Sequence, residues 1–401
     1  MKIHIDFDTY FVSVERIYNQ NLNNIPCAIF TGYDENFFNN KINFNECDIA
    51  FMNNLESKQS QQKIDYRHLT IIALSNEAKK FGIKVGDKAN NALIKCPELK
   101  LIQSNINLYK NTSKKVKIFL QSKIPILEQF SIDEFFGDLD GFKKDNEVLE
   151  YAQYLQNELI TKFKLPASIG ISKSKWSAKL LTDLAKPFGI YYETDINKVI
   201  NGLDISYFPG IGKKMQNHLR IYGINTLDKV ISNPNILNKY GKYGQKLLLR
   251  IQGIDNEEVL EKRNIKSHGI SKNFKPIDDI QELTRRVKIL SRYLCIWISK
   301  KQLHPKKLIL EIKFENKTIN HSEYLSQPFY EKNLIATALK SFQILIKKIN
   351  FKVHYIGLNV YNLEENYSES LFNPKEKEYK LNKTINNLRE KFGIECIKYI
   401  E

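Results

Sequence analysis

Residues 3–8, IHIDFD, alternate strictly: Ile3, Ile5 and Phe7 are apolar, while His4, Asp6 and Asp8 are polar. A period of two predicts a strand with both carboxylates on one face. From Tyr10 the period lengthens, because Tyr10, Phe11, Val14 and Ile17 recur at helical spacing, with Asp8 or Thr9 available to cap the first turn. The stretches ILEQFSI and FFGDL read as the arms of a hairpin around Asp133 and Glu134. ASIGIS (167–172) reads as a strand leading into an apolar helix that carries Lys175, Lys179 and Lys186. Residues 33–68 are polar and rich in Asn and Gln, the pattern of an insertion or long surface loop.

Beyond residue 194 the pattern changes twice. Short helices punctuated by glycine fill 194–261, and a basic connection at 262–265 follows. From 266 to 363 the order is clearer. A strand at SHGISKNF precedes a helix marked by Leu283, Val287, Leu290, Leu294 and Trp297; LILEIKF and HSEYLSQPF read as strands; Leu334, Ala338, Phe342, Leu345 and Ile349 mark a second helix; YIGLNVY closes. That is β-α-β-β-α-β, a sheet with two helices on one face. In the tail, 364–401, Leu381, Ile385, Leu388 and Phe392 predict a short amphipathic helix. The whole is an α/β multidomain chain: 401 residues exceed one ordinary core.

Charge adds a partner class. The 61 Lys and Arg against 45 Asp and Glu leave +16, which suits a phosphate backbone or an anionic surface, and equally a biased genome. Five scattered cysteines without a C-x-x-C pair argue against a zinc site or a disulfide framework and fit a cytoplasmic setting. No run of eighteen apolar residues occurs, so no membrane role is expected.

Three carboxylates would serve a two-metal site if Asp6 converged with Asp133 and Glu134. Adjacent residues on a regular strand point to opposite faces, so the Asp-Glu pair can act together only at a turn or strand end, and a lone pair of this kind is more often a hairpin turn. A second chemistry appears in ISYFPGIGKKMQNHLRIYGINTL (205–227), a helix-hairpin-helix pattern. Gly210 and Gly212 let the backbone approach phosphate, and Lys213 and Lys214 add charge at a helix N-terminus. For Lys175 and Lys179 the solvated helix face is the reading; Lys186, ahead of Pro187, can present its charge to a bound phosphate.

In order along the chain, IDFDTYFVSVE, NEAKKFGIKVGDKANNA, SIDEFFGDLDG, ASIGISKSKWSAKLLTDLAKPFGI, YFPGIGKKMQNHLRIYGINTL and LIATA resemble a Y-family DNA polymerase of the DNA polymerase IV type. The resemblance implies a right-hand polymerase with four parts. These are a palm (1–10 and 105–193), fingers (11–104, with the 33–68 insertion), a thumb (194–261) and a little finger (266–363). It implies template-directed, low-fidelity synthesis past damaged bases by a bacterial, nucleoid-associated monomer. Its partners would be primer–template DNA and deoxynucleoside triphosphates. Asp6, Asp133 and Glu134, with the backbone carbonyl of Phe7, would hold two Mg²⁺ ions, Mn²⁺ being a possible substitute. Phe11 would be the steric gate against ribose, where the residue pattern alone favours a core aromatic. Tyr10, Asn76, Lys79 and Lys186 would meet the nucleotide. Ser267 and Lys272 would join Gly210, Gly212, Lys213 and Lys214 on DNA.

The chain also departs from the family pattern. Asn76 and Lys79 stand where relatives carry Tyr and Arg, which implies weaker triphosphate binding because lysine lacks the bidentate fork. Phe135, Phe136 and Gly137 replace the usual Ala-Tyr-Leu. SESLF (368–372) resembles the sliding-clamp peptide Gln-Leu-Ser-Leu-Phe, with Leu371 and Phe372 as its apolar pair; a simple linker is the alternative. The competing functional readings are a catalytically silent member that binds DNA or recruits partners and, from further away, a metal-dependent nuclease or cyclase.

Overall fold

A computed structural model describes residues 1–32, 35–38, 69–262, 264–326, 329–364 and 375–397. The chain forms two compact units, Met1–Phe30 with Thr70–Arg263, and Thr31–Leu69 with Asn264–Glu401. The strands of the first unit are β1 (Lys2–Phe7), β2 (Cys27–Thr31), β3 (Thr70–Leu74), β4 (Lys100–Gln103), β5 (Ile126–Gln129), β6 (Glu134–Asp138), β7 (Ala167–Ser172) and β8 (Ile190–Tyr192).

β1 lies at the centre of a five-stranded sheet ordered β5-β6-β1-β7-β8, antiparallel to both β6 and β7. Burial on both sides explains its composition: Ile3, Ile5 and Phe7 are buried, and so are His4 and Asp6. On one side β1 packs with the helix Lys175–Ala185, which also lies along β7. Gly170 permits that close approach, since a Cβ there would stand 2.1 Å from the Ala178 carbonyl oxygen and 2.4 Å from the Thr182 nitrogen. His4 Nδ1 and Thr182 Oγ1 are 2.9 Å apart, and Thr182 donates to the His4 carbonyl at 3.1 Å. Burial pushes the His4 imidazole well down, so it is neutral.

A smaller sheet, β3-β2-β4, has its own core of Ala28, Ile71, Leu74, Ala78 and Ile83. Residues 197–251 form short helices around Leu219, Leu227 and Leu247.

The second unit holds β9 (Ser267–Ile277), β10 (His304–Phe314), β11 (Lys317–Tyr324) and β12 (Val353–Glu364), ordered β11-β10-β12-β9 with antiparallel neighbours. Helices Ile280–Lys301 and Glu331–Ile346 complete the β-α-β-β-α-β order read from the sequence. Leu308, Leu310 and Ile312 alternate with half-buried Ile309, Glu311 and Lys313, so one face of the sheet carries the core. The tail helix Lys375–Phe392 forms, and its Arg389 is buried against Glu331 at 2.6 Å.

One element differs from the surface loop expected for residues 33–68. Phe37 and Phe38 are buried in the core of the second unit. Phe38 meets Phe274 edge-on with centroids 5.8 Å apart, and its carbonyl accepts from Arg285 Nη1 at 2.9 Å. Two adjacent phenylalanines in a polar run were the available signal, because burying them removes a large apolar area from water.

Candidate active site

Asp6 and Glu134 meet where β1 ends and β6 begins, with Asp133 in the adjoining bend. Asp6 and Glu134 are register partners across the antiparallel pair. Their carboxyl groups lie within hydrogen-bonding reach of each other. Asp133 precedes β6 in a bend, and its carbonyl accepts from Phe7 N at 3.1 Å. Ser131 organises that bend: its hydroxyl donates to Asp133 Oδ1 at 2.5 Å and accepts from Glu134 N at 3.1 Å. The adjacent pair therefore stands at a turn and a strand start, the one arrangement in which neighbours can face a common site.

Among the described residues, no three His, Cys, Asp or Glu side chains are already closed around one point as a metal cage. The nearest cations are lysines of helix Lys175–Ala185 and its cap. Lys186 Nζ lies 2.9 Å from Asp6 Oδ2 and 3.0 Å from Asp183 Oδ1, and Lys179 Nζ is ion-paired with Glu134 Oε1.

These contacts set the protonation chemistry. Burial pushes the Asp6 carboxyl up to about 7, against the pull of Lys186 and with a contribution from Glu134. Glu134 moves the other way: burial opposes its charge, but Lys179, with Asp6 and Lys186, outweighs burial and holds it below the usual range. Burial opposes the Lys186 charge as well, and Asp6 and Asp183 more than compensate, raising it. A carboxyl raised to about 7 carries its charge only above that pH. Cation binding at Asp6 is therefore expected to weaken as pH falls below 7, approaching about tenfold per unit while one proton competes. Titrating Mn²⁺ into the protein at pH 6 and pH 8 checks this; equal affinities would show Asp6 ionised throughout.

Asp8 does not cap the following helix. Both its carboxylate oxygens accept from Ser168 Oγ at 3.0 Å, and Oδ2 accepts from Phe188 N at 2.7 Å. The helix begins after Thr9, whose backbone is left-handed (φ 47°) and whose side chain makes no capping bond. Asp8 thus ties β1 to β7 and to the turn after Lys186.

Of the nucleotide candidates, Phe11 is half-buried and stacked on Tyr109, with centroids 4.4 Å apart and planes 15° apart. Tyr109 is fixed in turn by Glu15, whose Oε1 accepts its hydroxyl at 2.6 Å. Tyr10 is a core residue, buried with its hydroxyl on the Tyr109 carbonyl at 2.8 Å. Asn76 and Lys79 share the short helix Asn76–Lys79, capped by Ser75, and Lys79 Nζ donates to Asn76 Oδ1 at 3.2 Å.

Gly210, Gly212, Lys213 and Lys214 are all exposed at the start of helix Lys213–Ile221. Gly210 has φ +101°, a conformation that an L side chain rarely adopts, and its carbonyl accepts from Tyr243 at 2.8 Å. In the second unit β9 does not bring Ser267 and Lys272 to one face. Ser267 is exposed; Lys272 shares the inward side with buried Phe274, its ammonium 4.1 Å from the Phe37 ring centroid. Leu371 and Phe372 lie outside the described residues.

Two lysines read as solvated are not. Lys175 is 3% exposed and paired with Glu128, and Lys179 is paired with Glu134. A spacing of four puts Lys175 and Lys179 on one helix face, and Lys186 follows in the extended cap after Ala185. The misreading was one of environment, since a lysine stripe looks the same against water or against a row of acids.

Family models match two stretches of the chain: the impB/mucB/samB family over residues 5–183 and its C-terminal domain over 265–371. A DNA polymerase IV from Dehalococcoides mccartyi (strain CBDB1) is 27% identical over 406 residues, 99% of this chain and 96% of that protein. One from Enterobacter sp. (strain 638) is 26% identical, covering 92% and 98%. Among solved structures, a Y-family DNA polymerase chimera built on Dbh superposes with a TM-score of 0.76 at 21% identity, covering 91% of this chain and 99% of that one.

Proposed function

The chain belongs to the impB/mucB/samB family of Y-family DNA polymerases, and we propose that it extends a primer by template-directed phosphoryl transfer at Asp6, Asp133 and Glu134. The observation that carries this assignment is the juxtaposition of Asp6 and Glu134 across paired strands, with Asp133 at the adjoining bend. The donor set fits the cofactor class: carboxylates, joined by the Phe7 carbonyl at the strand end, are hard oxygen ligands that suit Mg²⁺, or Mn²⁺ in its place. Two such ions, bound there, would make the primer 3′-hydroxyl a better nucleophile and neutralise the triphosphate.

The protein's own residues do the rest. Lys186 and Lys79 would offer charge to the phosphates, and Asn76 a neutral donor. Lys79→Arg, which restores the bidentate fork, is expected to lower the KM for incoming deoxynucleotides in steady-state extension; an unchanged KM would sink that role. Phe11, backed by Tyr109, would present the ring that excludes a ribose 2′-hydroxyl. Phe11→Val is expected to raise ribonucleotide incorporation relative to deoxynucleotide by about a hundredfold, read from single-nucleotide extension. Unchanged discrimination would return Phe11 to a packing role.

Residues 1–10 and 105–193 correspond to a palm, 11–32 with 69–104 to fingers, 194–261 to a thumb and 266–363 to a little finger. Gly210, Gly212, Lys213 and Lys214 would hold a DNA phosphate at the thumb helix. Ser267 lies on the open side of β9, with Ser271 and Asn273, so these three are better placed than Lys272 for a backbone contact. Clamp binding by Leu371 and Phe372 rests on the SESLF pentapeptide.

A further inference from the structure

Helix Lys175–Ala185 and its cap lay three ammonium groups on three different acids: Lys175 on Glu128, Lys179 on Glu134, and Lys186 on Asp6. Two of those acids are proposed metal ligands. Lys186 has a further task in the proposed reaction, at the triphosphate. Lys179 has none, yet it is held tightly. Its side chain is 12% exposed, that of Glu134 is 17% exposed, and its ammonium stands 5.6 Å from the Phe130 ring centroid. A confined ammonium of this kind costs desolvation and is stable only because a carboxylate faces it.

We propose that Lys179 is a built-in counter-ion for the metal site: its ammonium holds the Glu134 carboxylate until a divalent cation arrives, and the two cations then compete for that oxygen. Asp6 and Glu134 face each other across β1 and β6, so without a counter-charge they repel at close range. Lys186 faces Asp6 and Lys179 faces Glu134, so each acid has its own counter-charge once the protein folds, and Lys179 holds the Glu134 carboxylate in place. The consequence is weaker metal binding than the bare carboxylates would give, because binding must first displace the lysine. Lys179 is thus a positioning residue that acts through Glu134. The inference rests on the proposed assignment of Glu134 as a metal ligand.

Mn²⁺ binding to the full chain, without DNA or nucleotide and followed by electron paramagnetic resonance, tests it. Lys179→Met, similar in length but uncharged, is expected to bind Mn²⁺ about fivefold more tightly than the unaltered protein. Lys179→Arg keeps the charge and is expected to stay close to the unaltered affinity. Equal or weaker binding by Lys179→Met overturns the proposal. Should that variant not fold, the unaltered chain supplies the answer through lysine acetylation read by mass spectrometry. Mn²⁺ is expected to increase labelling at Lys179 while leaving Lys175, which keeps Glu128, unchanged; labelling at Lys179 that ignores Mn²⁺ overturns the proposal. Glu134→Gln separates the two levels. Mn²⁺ binding insensitive to that change removes the ligand assignment and the counter-ion with it, whereas binding lost in Glu134→Gln but unaltered in Lys179→Met removes the counter-ion alone.

Discussion

Alanine at both Asp133 and Glu134 is expected to slow primer extension by at least about 10³-fold while primer–template binding persists. The two residues act through different parts of the site. Glu134 opens β6 opposite Asp6, so its loss leaves the buried Asp6 carboxylate paired with Lys186 and without its strand partner. Asp133 carries the bend, accepting from Ser131 through its carboxylate and from Phe7 through its carbonyl. The backbone contact survives alanine, so the strand ends keep their register and the loss falls on metal binding and chemistry. The exposed Gly210, Gly212, Lys213 and Lys214, proposed to hold phosphate, are untouched. Gel-shift titration alongside extension distinguishes the outcomes: extension within tenfold of the unaltered rate would remove both carboxylates from the reaction.

Lys175→Met is expected to destabilise the first unit by about 3–5 kcal/mol, because it leaves Glu128 charged and buried. Glu128 is 1% exposed and Lys175 3%. Around the pair, Leu260 N donates to Glu128 Oε2 at 2.9 Å, and Lys175 Nζ donates to the Glu258 carbonyl at 3.2 Å and stands 4.8 Å from the Phe136 ring centroid. The pair therefore fastens the segment at 258–260 to β5. Glu128→Gln added to Lys175→Met removes the stranded charge and is expected to recover most of the loss, a coupling that a double-mutant cycle in urea measures directly. A single variant as stable as the unaltered chain would mean that water reaches Glu128.

Most of the architecture was legible because its signals are periodic. The alternation of Ile3, Ile5 and Phe7 marks the central strand, and the heptad-like run Leu283, Val287, Leu290 and Leu294 marks a core helix. Glu134 and Asp6 were legible as a pair only through the order of motifs, since nothing local says which strands will adjoin. What stayed hidden depends on the far side of a contact. Lys175 and Lys179 have the sequence signature of a wet helix face, and only the pairing of β5 and β6 brings acids beneath them. Phe37 and Phe38 sit in a polar run and were read with it. Asp8 was a plausible cap by position, but β7 supplied Ser168 at 3.0 Å and the backbone took another course at Thr9. Lys272 was assigned to DNA through the family resemblance, whereas strand parity turns it inward beside Phe274.

Primer extension by the unaltered chain, on an undamaged template with Mg²⁺ and all four deoxynucleotides and then on the same template carrying a damaged base, tests the central claim most directly. The expected result is short, distributive extension that continues past the lesion. Protein that binds primer–template firmly yet adds no nucleotide to either template would contradict the claim. It would leave a DNA-binding or recruitment role in its place and direct attention to Asn76 and Lys79.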